Sequence, residues 1–318
     1  MKNLINPEQT ETSQYVGLRR PFGEGAPKHR IRLLLLGFVL VTLAVTFRSE
    51  VGTAFPINIL RGLRSKHLTR SAPPPGLVLW SADMETGDLS QWSRPDVPGG
   101  PNVGGGVFDS GTSIASVDAV SVAHSGIHSA KLYISTRNSP GVSTSGARLF
   151  RWLESESHSD LYYSVWYYFP RRYIPNGNPP WWNVFQWKSK RGEVSDSFFA
   201  LNVGNRSDGS MYLYLYNQNS NTSYSQASKN ISEGQWFHIE AFYKCAGDKT
   251  GHVTFWQDDA QIFDVSNVQT GYPDRTCAWS VNSYSDSLNP TTATIYVDDA
   301  AICAGGRCPS MPPVGTGE

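Results

Sequence analysis

The chain is poor in cysteine, methionine and charge. It has four Cys and four Met, only 17% of its residues are charged, and Lys+Arg and Asp+Glu balance at 27 each. Balanced charge offers no polycation for a phosphate backbone, so nucleic acid is not an expected partner. No two cysteines stand in a Cys-x-x-Cys pair, which removes the usual zinc-ligand spacing. Also missing are an HExxH helix, a phosphate-binding glycine loop, a dinucleotide glycine motif and a GxSxG elbow. Paired acids of the form Glu-x-Asp-x-x-Glu are lacking too. Glu193-Val-Ser-Asp196 has the wrong spacing and Glu154-Ser-Glu156 lacks the third acid, which disfavours retaining glycoside hydrolysis.

Long apolar runs are equally scarce. Leu33–Phe47 carries no charge, and as a helix it spans roughly 22 Å against a hydrocarbon core of about 30 Å. Arg32 and Arg48 flank it and can extend it by snorkelling. It reads as a transmembrane signal-anchor, the alternative being the core of a cleaved signal peptide with a long n-region. Residues 1–32 carry six basic side chains against three acids, and residues 48–75 five against one. The remainder therefore carries sixteen (27 − 11) against twenty-three (27 − 4). The expected organisation is a disordered cytoplasmic tail (1–32), the anchor (33–47), a linker ending Pro-Pro-Pro (48–76), one large domain (77–303) and a flexible tail (304–318). The domain is placed outside the cell, or secreted if the anchor is cleaved. The even cysteine count, all four lying C-terminal (Cys245, Cys277, Cys303, Cys308), agrees with an oxidising compartment. Pairs Cys245–Cys277 and Cys303–Cys308 are one possible connectivity, which spacing alone does not fix.

What the chain has in abundance is aromatic residues, 12% in all. Eleven of the thirty residues from Leu161 to Lys190 are aromatic. They alternate at first, the strand period, and are then interrupted by Pro170, Pro175, Pro179 and Pro180. Similar short strand patterns recur at Leu77–Trp80, Ala130–Ile134, Ala147–Leu153, Phe198–Val203, Met211–Tyr216, Trp236–Tyr243, His252–Trp256, Gln261–Val265, Ala278–Tyr284 and Ala293–Val297, separated by Gly, Asn, Asp, Ser and Pro. Many short strands without intervening helices predict an all-β jelly-roll sandwich. The Gly/Ser/Pro-rich run 97–114 reads as a surface loop.

Several segments resemble a known family. Trp80–Trp92, His124–Leu132, Leu161–Pro170 and Ile295–Ile302 are similar to strands of heparin-lyase-like polysaccharide lyases with a concanavalin A-like jelly roll. Gly234–Glu240 with Gly251–Asp259 resembles the back-sheet hairpin of laminin-G and lectin sandwiches. Three further segments partly match the catalytic strands of alginate-lyase-like jelly rolls: Arg148-Leu-Phe-Arg151, Gln186-Trp-Lys188 and Ser280–Asp286. The resemblance implies β-elimination on an acidic, uronate-containing polysaccharide. Arg148 and Gln186 would neutralise the sugar carboxylate, and Lys188 and Tyr284 would move protons. Lys188 stands where that family has His, and Ser280 where it has Lys, so a non-catalytic lectin-like or adhesion module stays open beside the enzyme. Seven of the sixteen basic residues after residue 75 fall between Arg148 and Arg191, a local positive face suited to a polyanion. Arg151, Trp182, Trp187, Lys190, Arg191, Tyr214 and Tyr216 are the expected substrate-binding side chains. The resemblance also implies a structural calcium site from Glu85, Asp298 and Asp299.

Overall fold

The computed structural model describes residues 75–93, 104–118, 122–137, 143–153, 160–192, 194–273 and 277–309. Every described residue belongs to the one unit that spans residues 68–318. The expected cytoplasmic tail and anchor, and most of the linker, lie outside the described residues. No helix among those described is long and apolar enough to cross a membrane.

The strands in chain order begin with β1 (Leu77–Ala82), β2 (Gly104–Ser110), β3 (Thr112–Asp118), β4 (Ser129–Ser135), β5 (Ser145–Leu153) and β6 (Asp160–Tyr168). There follow β7 (Ile174–Pro175), β8 (Trp182–Arg191), β9 (Val194–Asn205), β10 (Met211–Asn217), β11 (Thr222–Tyr224) and β12 (Trp236–Lys244). The last are β13 (Gly251–Gln257), β14 (Ala260–Val268), β15 (Cys277–Ser285), β16 (Leu288–Asn289) and β17 (Thr292–Ala304), and a four-residue helix, Ser90–Ser93, follows β1. One antiparallel sheet runs β14-β13-β12-β6-β17-β4-β3 with β1 added against β17. The other runs β11-β10-β9-β8-β15-β5-β2. This is the all-β sandwich of jelly-roll type expected from the strand patterns.

The run 97–114 departs from expectation, because its described part is β2 and the start of β3 rather than a loop. Its glycines are what allow it to pair. A Cβ on Gly105 would stand 2.0 Å from the Phe150 carbonyl oxygen, and one on Gly106 would stand 3.1 Å from the Phe150 ring. Gly-rich sequence here marks close strand approach, not irregular chain.

Aromatic side chains fill the space between the sheets. Trp80, Trp92 and Trp279 meet with ring centroids 4.7–6.1 Å apart, and Trp187 stacks on Tyr243 at 4.1 Å. Edge-to-face and offset contacts of this kind add about 0.5–1.5 kcal/mol per pair beyond area burial. Disulfide Cys245–Cys277 ties the end of β12 to the start of β15, and Cys303–Cys308 closes the turn after β17. That turn is docked rather than free: Arg307 pairs with Glu240 and Asp259 and lies over Trp256.

The outer face of the eight-stranded sheet holds a half-buried histidine. His238 Nε2 is 2.7 Å from Ser164 Oγ, and its ring stacks on Trp166 at 4.6 Å. Burial, followed by the nearby Arg307 and His124, lowers its pKa to about 4. The fold thus favours the neutral ring. That contribution is complete above the ordinary pKa of about 6.5 and is lost as pH falls toward 4, at about 1.4 kcal/mol per pH unit. We expect the melting temperature to decline over that interval, with a shallower decline in His238→Gln. Equal slopes in the two proteins would remove His238 as the cause.

Candidate active site

Alternation fixes which side chains leave the core. Along β15, Trp279 and Val281 face inward, so Ser280, Asn282 and Tyr284 face outward. The unbroken β15–β5 register carries the same parity to Arg148, which lies opposite Asn282, and to Gly146, opposite Tyr284. On β8 the outward set is Gln186 and Lys188, with Phe185 and Trp187 inward. Tyr214 and Tyr216 of β10 pair with Asn202 and Ala200 on the same outer face.

Asn183 reaches this face through an irregularity. Counting back from Gln186 places it inward. The β8–β9 ladder instead shifts register between Asn183 and Phe185, and the β8–β15 ladder shifts in the same region. The extra residue restores Asn183 to the outer side, as β-bulges do. It lies opposite Asn202 and Tyr284. Asn282 Nδ2 donates to Asn183 Oδ1, and Asn183 Nδ2 donates to the Leu201 carbonyl at 3.3 Å and to Asn202 Oδ1 at 3.4 Å. Three buried amides thus form a floor spanning β15, β8 and β9.

Above that floor, the Arg148 guanidinium lies 4.1 Å from the centroid of the Tyr284 ring and 5.7 Å from that of Phe108. Glycine at 146 makes the arrangement possible, since a Cβ there would lie 2.5 Å from the Tyr284 ring. Arg148 Nε, Asn282 Oδ1 and Gln186 Oε1 are buried with no hydrogen-bond partner among the described residues. Buried polar atoms without partners are rare in folded proteins, and here three stand on one face. Burial, then the neighbours Tyr212 and Tyr216, raises the Tyr214 pKa to about 12, so its hydroxyl keeps its proton at neutral pH.

Several expected residues lie elsewhere. Trp182 and Trp187 are fully buried between the sheets, Trp182 against Phe169 and Tyr173 and Trp187 against Tyr243 and Phe255. Arg151 also points inward, where Nη1 donates to the Trp92 carbonyl and the guanidinium lies over Trp80; burial lowers its pKa to about 10. These three cannot touch a polymer, and their expected binding role is corrected to core packing. Lys188 shares the outer face but pairs with Ala278, six residues along β15 from Tyr284. At about 3.3 Å per residue that is roughly 20 Å of strand, too far for Lys188 and Tyr284 to serve one carbon atom. Lys190 and Arg191 continue toward that same far end, Arg191 over Tyr272 at 4.7 Å. Gln186 lies between, opposite Ser280, with Nε2 bonded to Ser197 Oγ at 2.8 Å.

The acids expected to hold calcium do not fit a metal. Glu85 Oε1 accepts the Ile127 and His128 amides. Asp298 accepts the His124 and Asp299 amides, and Asp299 accepts Ser125 Oγ and meets His124 Nδ1. Protein donors therefore already bond all three acids, and no group of three or more His, Cys, Asp or Glu among the described residues is arranged to hold a metal ion. Burial, reinforced by the Asp299 charge, raises the Asp298 pKa to about 8.

The sandwich thus gathers an arginine, a tyrosine and three amides on the outer face of one sheet. The family profile described as polysaccharide lyase matches residues 84–301, and the chain belongs to that family. Among solved structures it is similar to an endo-β-1,4-glucuronan lyase from the fungus Trichoderma reesei, at 16% identity and a TM-score of 0.52, over 71% of this chain and 95% of that one. An alginate lyase from Aplysia kurodai matches at 13% identity and a TM-score of 0.44, over 71% and 98%. No curated protein sequence matches.

Proposed function

We propose that the domain cleaves a uronate polymer by β-elimination on the outer face of the seven-stranded sheet. The observation that carries this is the Arg148–Tyr284 pair set over the Asn183–Asn202–Asn282 floor. In this reading Arg148 receives the sugar carboxylate. Withdrawing that charge makes the neighbouring C–H more acidic and stabilises the carbanion-like intermediate. Tyr284 stands beside Arg148 and transfers the proton. Elimination then breaks the bond to the leaving sugar oxygen, which takes a proton from Tyr284 or from the protonated Tyr214. The buried amides of Asn282 and Gln186 support the pair from below. Lys188, Lys190 and Arg191 attract a distant stretch of the same polyanion. Membership of the polysaccharide lyase family supports the reaction class, and the likeness to the glucuronan lyase supports the fold on which it is drawn.

We also propose that Leu33–Phe47 anchors the chain with the domain outside the cell. The two disulfides support an oxidising compartment. Protease digestion of intact cells tests the orientation: the domain is expected to be cleaved, and full protection would reverse the assignment.

The rival, a non-catalytic lectin-like module, is favoured by one observation. The described histidines on strands, His238 and His252, belong to the other sheet. Elimination makes an unsaturated sugar that absorbs in the ultraviolet, and hydrolysis or binding does not. Incubation with glucuronan, alginate, heparin and pectate is expected to give rising absorbance on at least one. Binding without any rise would establish the lectin reading instead.

A further inference from the structure

Next to Tyr284 the structure holds an indole that neither the reaction nor the core uses. Of the adjacent pair at the start of β8, Trp182 is buried, whereas Trp181 stays half-exposed with its ring 4.9 Å from that of Tyr284. The chain before it is unusually well fastened. Ser285 Oγ donates to the Trp181 carbonyl at 2.9 Å, and Tyr214 donates to the Pro180 carbonyl at 3.4 Å. The Asn176 amide donates to the Ser287 carbonyl, Ser287 Oγ donates to Asn176 Oδ1, and β7 pairs with β16. Asp286 is the centre of this seam. Its carboxyl bonds the Trp181 side chain, and its Oδ1 is buried against Gly177, where a Cβ would stand 2.5 Å away. Burial also raises its pKa.

We propose that Trp181 is a stacking platform for one sugar ring of the uronate polymer, adjacent to the ring cleaved at Tyr284, and that Asp286 is the positioning residue that holds the indole. The ligand chemistry is the apolar C–H face of a pyranose on a flat, pre-set aromatic ring. The inference rests on the uronate-binding reading above.

Calorimetric titration of the full chain with glucuronan and alginate oligosaccharides, in a Tyr284→Phe background that does not consume them, tests it. Trp181→Ala is expected to weaken binding about fivefold to tenfold. Asp286→Ala should weaken it similarly, and Asp286→Asn, which keeps an oxygen for the indole, should stay within about twofold. Adding Asp286→Ala to Trp181→Ala should cause no further loss, because both remove the same platform. Unchanged affinity in Trp181→Ala would overturn the subsite alone, and additive losses would overturn the positioning role of Asp286. If the parent chain binds no uronate oligomer, the uronate-binding reading falls and the subsite with it.

Discussion

Tyr284→Phe should lower the elimination rate by about 10²–10⁴-fold while leaving polymer affinity within about twofold. A positioned proton-transfer group is worth a factor of this size. The substitution removes only the hydroxyl. The ring that lies across Gly146, beneath Arg148 and beside Trp181, keeps its contacts, so the fold and the seat for the carboxylate stay in place. In kinetic terms kcat should collapse and KM should not, the sign of an interaction made in the transition state. Tyr214→Phe is the control. Its hydroxyl is held protonated and reaches the Pro180 carbonyl, so it can give a proton but is a poor base. Its loss should cost less than that of Tyr284. Full activity in Tyr284→Phe would move the chemistry off this pair altogether.

Much of the architecture was legible because the strands obey a period of two and most turns carry Gly, Asn, Asp or Pro. The predicted strands at Met211–Tyr216 and Trp236–Tyr243 match β10 and β12 to within one residue at their ends. The site was legible only where that period held. Arg148, Gln186 and Tyr284 do share an outer face, and Asn282 follows from Tyr284 by the same alternation. Asn183 could not be found this way, because a bulge inverts parity between it and Gln186. No local pattern announces a bulge inside WNVFQW. Trp181 and Trp182 illustrate a second limit: two like residues in sequence face opposite environments, and composition cannot say which is outside. Arg151 illustrates a third. A cation three residues from Arg148 looks like part of a basic patch, yet the odd spacing turns it into a cage of Trp80 and the Trp92 carbonyl. The basic cluster read from the sequence therefore mixes one core arginine, one site arginine, the exposed Arg171 and Arg172, and a separate group at the far end of β8.

That separation leads to the second large effect, which falls on stability. Trp187→Ala should destabilise the domain by about 3–5 kcal/mol, the usual range for deleting a fully buried large aromatic. The indole is fully buried and stacks on Tyr243 at 4.1 Å, with Tyr163, Phe185 and Phe255 around it. Little of that space can collapse, because rings from both sheets hold it open. For a domain of this size the melting temperature should fall by roughly 10 °C or more. Below that temperature, affinity for the polymer should hardly change, since no atom of Trp187 reaches the outer face. Lys188→Ala, one residue away, should do the reverse. It should leave the melting temperature nearly unmoved and raise KM for long polymer in a salt-dependent way, with kcat retained, because Lys188 lies about six strand residues from Tyr284. Loss of kcat in Lys188→Ala would return that lysine to the chemistry. Loss of affinity without loss of stability in Trp187→Ala would show that the β8 register puts the wrong residues in the core.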